Sequence, residues 1–239
     1  MNMRTPAAAA IVVAGLAGLA WAQSSAGFNV IQAPPKVNVQ DKQDTWVLDF
    51  QFKAPRVLTV DIPGRGRKTI WYMWYQVINR TGQPRVFIPE FELVTLDRST
   101  VHRDEVLPTV QAEIAAIEDP TGLFKVKNSV TIAAEPIPAS KPDANPVVVT
   151  GVAIFPDIVE KSGDTTRFSI FVSGLSNGWS VDPDGHLRRK TLQLNFRRLA
   201  DARIQDNRAF QFVPPAEWVY RATSVTAPQI KDAANKPSD

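Results

Sequence analysis

Two histidines, one serine motif and one acidic loop are the places where this 239-residue chain could do chemistry. His102 stands in Val101-His102-Arg103-Asp104-Glu105, beside carboxylates of the kind used in general acid–base catalysis. Side chains alternate faces on an extended chain, so only Asp104 shares its side, and the stretch reads as a solvated loop after a strand. The second histidine is His186. Gly174-Leu175-Ser176-Asn177-Gly178 has the G-x-S-x-G spacing in which a hydrolase carries its nucleophile on a strand-to-helix elbow. Turn formers follow it and no alternating α/β pattern surrounds it, so the context for that chemistry is missing. Ser180-Val181-Asp182-Pro183-Asp184-Gly185 begins like a calcium loop, but Thr191 stands where the twelfth-position carboxylate belongs. Asp-Pro-Asp-Gly is equally a hairpin turn. The chain has no cysteine, which excludes disulfides, zinc–thiolate sites, iron–sulfur clusters and thiol nucleophiles. The sequence therefore assigns no catalytic residue, no metal ligand and no cofactor.

Binding chemistry is better represented. Trp46, Trp71, Trp74, Trp179 and Trp218 could stack on a carbohydrate, but all except Trp179 fall where core packing explains them. Trp179 sits in a loop between glycine-rich and acidic turns, and Arg188 and Arg189 follow. Loops on a rigid scaffold carry function, so Trp179, Arg188 and Arg189 are the candidate residues for an anionic or carbohydrate ligand. Arg65, Arg67 and Lys68, the run Arg188-Arg189-Lys190, and the pair Arg197-Arg198 are ordinarily edge and loop charge that keeps a sheet soluble. With 27 basic and 24 acidic residues the net charge is only +3, so a nucleic-acid partner is not expected. Asn79-Arg80-Thr81 matches a glycosylation sequon, a pattern common by chance.

Something must position these residues, and periodicity says it is a sheet. In Lys68 to Gly82 one face carries Ile70, Tyr72, Trp74, Gln76 and Ile78, and the other Trp71, Met73, Tyr75 and Val77. Aromatic and β-branched residues favour strands, and large groups on both faces imply burial on both sides. Further strands are expected over Thr45–Phe52, 57–62, Val86–Leu96 (edge or bulged at Pro89), Pro146–Phe155, Thr166–Val172, Lys190–Arg198, Phe210–Val213 and Trp218–Ala222, with a short one near Ser129–Ala133. Gly151 marks a bulge or a close approach. Pro108–Glu118 gives the one helical pattern. The expected fold is mainly β: an antiparallel two-layer immunoglobulin-like β-sandwich with one short helix.

The N-terminus reads as a signal peptide over residues 1–22: a basic start, an apolar run from Ala7 to Ala20, and Ala20-Trp21-Ala22 as the cleavage pattern. A retained anchor is the alternative, although spanning takes about 20 apolar residues. Residues 23–44 read as a flexible leader, 45–222 as a single β-sandwich domain and 223–239 as a disordered tail.

Three pieces resemble uncharacterised secreted proteins of planctomycete-type bacteria with an immunoglobulin-like β-sandwich: Trp71-Tyr72-Met73-Trp74-Tyr75, Phe171-Val172-Ser173-Gly174-Leu175-Ser176-Asn177-Gly178 and Lys190-Thr191-Leu192-Gln193-Leu194-Asn195-Phe196. The strand and turn Tyr75 to Gly82 is similar to bacterial immunoglobulin-like domains in general. The resemblance implies fold and export, and no site residues. The expectation is a secreted or periplasmic, non-enzymatic protein with a structural or interaction role toward a protein or cell-envelope component. A binding module around Trp179 is the alternative, and a hydrolase stands behind both.

Overall fold

A computed structural model describes residues 29–31, 44–183, 185–199 and 209–222. The expected signal segment and tail lie outside the described residues. In chain order the strands are β1 (Asn29–Ile31), β2 (Asp49–Phe52), β3 (Arg56–Ile62), β4 (Gly66–Ile78), β5 (Glu90–Thr95), β6 (Val101–Arg103), β7 (Val148–Phe155), β8 (Arg167–Ser173), β9 (Trp179–Val181), β10 (Leu187–Arg198) and β11 (Phe210–Ala222). The helices are α1 (Pro108–Glu118), α2 (Ser129–Ala133) and α3 (Ile158–Ser162). The fold is mainly β, and every strand pairing is antiparallel.

The first sheet is built on β4. Strand β7 pairs along one edge, from Trp71↔Phe155 to Ile78↔Val148. Strands β2 and β3 follow one another along the other edge. Pro55 interrupts them, yet Lys53 N still donates to Trp74 O at 2.9 Å, so the edge stays nearly continuous. β1 pairs with β2, which places a strand inside the segment expected to be a flexible leader. The second sheet runs β11-β10-β8-β5-β6, with β9 sharing an edge of β10 with β8.

The two sheets face each other across an aromatic core. Trp71, Met73, Tyr75 and Val77 of β4 point into it, opposite Phe168, Ile170, Leu192, Leu194 and Phe196. Trp71 meets Phe168 and Phe210 at ring-centroid distances of 5.2 and 4.2 Å. Tyr75 lies opposite Gly151 in the β4–β7 ladder. A Cβ on that glycine would sit 2.4 Å from the tyrosine ring, so its role is close approach.

The other parity of β4 builds a second core. Ile70, Tyr72 and Trp74 pack with Val60, Ile62, Val152 and Ile154 beneath Val110 and Ile114 of α1. The helix and the excursion after it roof the outer face of the first sheet, a third layer that the two-layer expectation omitted. The expected single helix is one of three among the described residues. Ser129–Ala133 is helical because Asn128 caps it: its side chain accepts from Val130 N and Thr131 N, while the Thr131 hydroxyl returns to Asn128 N. A cap thus overrides the strand preference of Val130, Thr131 and Ile132. The two expected closing strands are one, β11, whose register against β10 slips between Gln193 and Asn195 at Pro214-Pro215.

Candidate functional site

Each candidate side chain can now be placed. His102 is buried in β6, with 1% of its surface exposed, and not in a solvated loop. Its Nδ1 lies 2.8 Å from Asp157 Oδ1 and its Nε2 2.8 Å from Thr100 Oγ1. The carboxylate it meets comes from the start of α3, 55 residues on, and local sequence gives no sign of it. Asp104, the expected partner, instead accepts from Ile154 N at 2.6 Å and from the Ser129 hydroxyl. An acid, a base and a hydroxyl in line have the order of a catalytic triad. Here the Thr100 hydroxyl also bonds the Thr95 and Ser162 hydroxyls, which occupies its donor and acceptor positions. The chain ties β6 to α3, a structural role. Burial raises the Asp157 carboxyl, but the bonds from Lys161 and His102 outweigh it and hold the group below the usual carboxylate range.

Ser176 is no elbow nucleophile either. Its hydroxyl donates to Trp46 O at 2.8 Å and accepts from Gly178 N at 3.0 Å, closing a turn. Asn79 of the sequon is fully buried. Its amide donates to the carbonyls of Gln83 and Ile137 at 2.7 and 2.8 Å, and its Oδ1 accepts from the Thr81 amide and hydroxyl. That asparagine is turn architecture in the folded chain. Asp182, in the calcium-like loop, is bound by Arg188 at 2.7 Å and by His186 N at 2.8 Å, and the His186 amide and Arg188 hold it below the carboxylate range. Among the described residues no group of three or more histidine and carboxylate side chains could hold a metal.

The three expected binding residues separate. Trp179 lies in strand β9, not in a loop, because it pairs with Arg189 across the β9–β10 hairpin. Cross-strand partners share a face, so Trp179, 40% exposed, and Arg189 stand together at a shallow cleft with Leu187 and Asn177. Arg188, one residue along, projects to the opposite face, where its guanidinium is committed to Asp182.

Sequence reasoning missed the most developed polar surface, the outer face of the second sheet. The registers align Arg103, Glu92, Phe171, Gln193 and Glu217 in one row across five strands. Arg221 reaches over from β11, bonds Glu92 Oε1 at 2.6 Å and stacks 3.6 Å above the Phe171 ring. Period-two alternation marks each of these residues as outward, but which strands lie side by side is not a local property. Comparison with known proteins gives no match among protein-family models, curated proteins or solved structures.

Proposed function

We propose that this chain is an exported, non-enzymatic immunoglobulin-like β-sandwich that presents the outer face of its second sheet to a protein or envelope partner in the periplasm. The observation that carries the reading is the contrast of faces. The first sheet is roofed by α1, while the second leaves a row of charged and polar side chains around Phe171 uncovered by any helix among the described residues. Charge patterning of this kind selects partners and sets register more than it adds affinity. The hydroxyls and imidazole with catalytic spacing, Ser176, Thr100 and His102, are spent on internal bonds, which also favours interaction over turnover. A photo-crosslinking residue at Gln193 or Arg197 should capture one envelope component in the native cell, and the same residue on α1 at Glu113 should not. Equal capture from both faces would refute the reading. Export is checked by the N-terminus of the mature protein, expected at Gln23.

A second reading has its own observation: Trp179 and Arg189 are cross-strand partners at one cleft. An aromatic face beside a guanidinium suits an acidic sugar. On a glycan array Trp179→Ala should then abolish binding, and a blank array for the wild type would remove this reading.

A further inference from the structure

On the same outer face, Glu90 and Arg103 border a cleft of about 320 Å³, a volume at the lower end of small-ligand sites. Arg103 is the cross-strand partner of Glu92, and Glu90 lies two residues along the same strand. Glu90 and Arg103 are therefore diagonal neighbours, with Cα atoms about 7–8 Å apart. Opposite charges so placed ordinarily close on one another. Both backbones are held in strand ladders, but among the described residues the two side chains form no ion pair or hydrogen bond with each other or with any other group. The wall behind them is fixed, because Arg221 is tied to Glu92 at 2.6 Å and sits 3.6 Å over the centre of the Phe171 ring.

We propose that this cleft binds a compact zwitterion, with an ammonium group on Glu90 and a carboxylate on Arg103. A simple anion would meet Arg103 but also the carboxylates of Glu90 and Glu92, with Asp104 in the same lining. A simple cation would meet Glu90 and face two guanidinium groups. A ligand bearing both signs satisfies both walls without displacing the Arg221–Glu92 pair. The cleft shares Arg103, Glu92, Phe171 and Arg221 with the face proposed for a macromolecular partner, but it needs no partner to be tested, because small ligands alone probe it.

Isothermal titration of the purified protein with four probes tests the assignment. L-alanine carries its charges on one carbon, and L-alanyl-L-alanine spaces them wider. N-acetyl-L-alanine lacks the ammonium and L-alaninamide lacks the carboxylate. Saturable binding of L-alanine or the dipeptide is expected at millimolar affinity or tighter, a scale of about −4 kcal/mol, with each blocked form at least about tenfold weaker, or about 1.4 kcal/mol. Whichever of the two binds tighter reports the span of the site. Glu90→Gln should erase discrimination against the acetylated form, and Arg103→Gln discrimination against the amide. Both residues are solvent-accessible, so the melting temperature should stay unchanged. Three results would each overturn the assignment: no saturable heat from either zwitterion up to about ten times that millimolar scale, equal binding of the blocked forms, or unaltered discrimination in both variants.

Discussion

The two sheets share a core and differ in everything outside it. The first is apolar on both faces: β4 sends Trp71 and Tyr75 one way and Tyr72 and Trp74 the other, and all four are buried. The second is apolar on its inner face only, and its outer row is charged. An antiparallel sheet can leave one face to water. When a chain of this size covers one sheet with a helix and leaves the other open, the open one is where recognition is cheapest to evolve. Its outward side chains can change without disturbing the core.

The sharpest test of that contrast is a pair of aromatic truncations. Trp74 lies under α1, within 6.2 Å of the Phe124 ring, and Phe171 lies on the open face under Arg221. Trp74→Ala should cost about 3–5 kcal/mol in a urea titration, as expected for a large buried aromatic. Phe171→Ala should cost about 1–2 kcal/mol, the sum of partial burial and one stacked cation. Equal losses would mean that the open face is as integral as the roofed one.

A pair of carboxylates repeats the comparison at smaller amplitude. Glu118, at the end of α1, has a side chain only 2% exposed. It accepts from Lys53 at 2.8 Å, Arg56 at 2.6 Å and the Tyr72 hydroxyl at 3.0 Å, so it pins the helix to the first sheet. Burial and the Glu118 charge together push the Tyr72 phenol above its ordinary range. Removing one partner of a buried pair leaves the others uncompensated, and Glu118→Ala should cost about 3 kcal/mol, the lower end because Lys53 and Arg56 keep some solvent. Glu92 is 21% exposed and holds only Arg221. Glu92→Ala should cost about 0–1 kcal/mol. A loss at Glu92 that matched Glu118 would show that the Arg221 bridge is structural and would weaken the case for a recognition face.

Much of this architecture is legible from local pattern, and the part that is not has a physical reason. The two-sided burial of β4 and the limits of α1 follow from periodicity and proline alone, while glycine marks position 151 as a bulge or a close approach and only the packing of Tyr75 makes it the second. The helix α2 was hidden because its residues favour strands and only the cap at Asn128 decides otherwise. The roof was hidden because nothing local says which face of a sheet a helix returns to. The sequence places Trp179 in a loop and groups Arg188 and Arg189 with it by proximity alone; the β9–β10 ladder brings Arg189 beside it, and a strand's alternation sends Arg188 to the other face. His102 shows the limit most clearly: Asp157 meets it only because β6 and α3 come together in three dimensions.

Within the first sheet the packing is tight enough for one methyl group to register. Tyr75 is fully buried, and its ring fills the space above Gly151. Gly151→Ala should cost about 1–3 kcal/mol by overpacking, measured as a shift of the urea midpoint at constant slope. A neutral result would mean that β7 can move away from β4, and that the roofed sheet is looser than its burial implies.

The smallest expected effect concerns pH and has opposite signs at two carboxylates. Asp97, just after β5, accepts from the Thr165 hydroxyl, from Thr166 N at 2.6 Å and from the Thr166 hydroxyl at 2.9 Å, which ties β5 to the start of β8. Burial raises its carboxyl, but these bonds together outweigh it and hold the group well below the usual range. The stability it contributes is therefore complete above the ordinary carboxylate pKa, near 4, and is lost as pH falls through the folded value. Asp104 ties the end of β6 to β7 of the first sheet through Ile154 N. Its burial wins over its hydrogen bonds and raises its carboxyl. The stability from its protonated form is complete below the ordinary value and is lost as pH rises through the folded one. Asp97→Asn should thus flatten the acid side of the stability–pH profile, whereas Asp104→Asn should flatten the fall that begins as pH rises through about 4. Urea midpoints taken across the acid range decide it: parallel profiles for wild type and both variants would mean that neither carboxylate is held as the geometry requires.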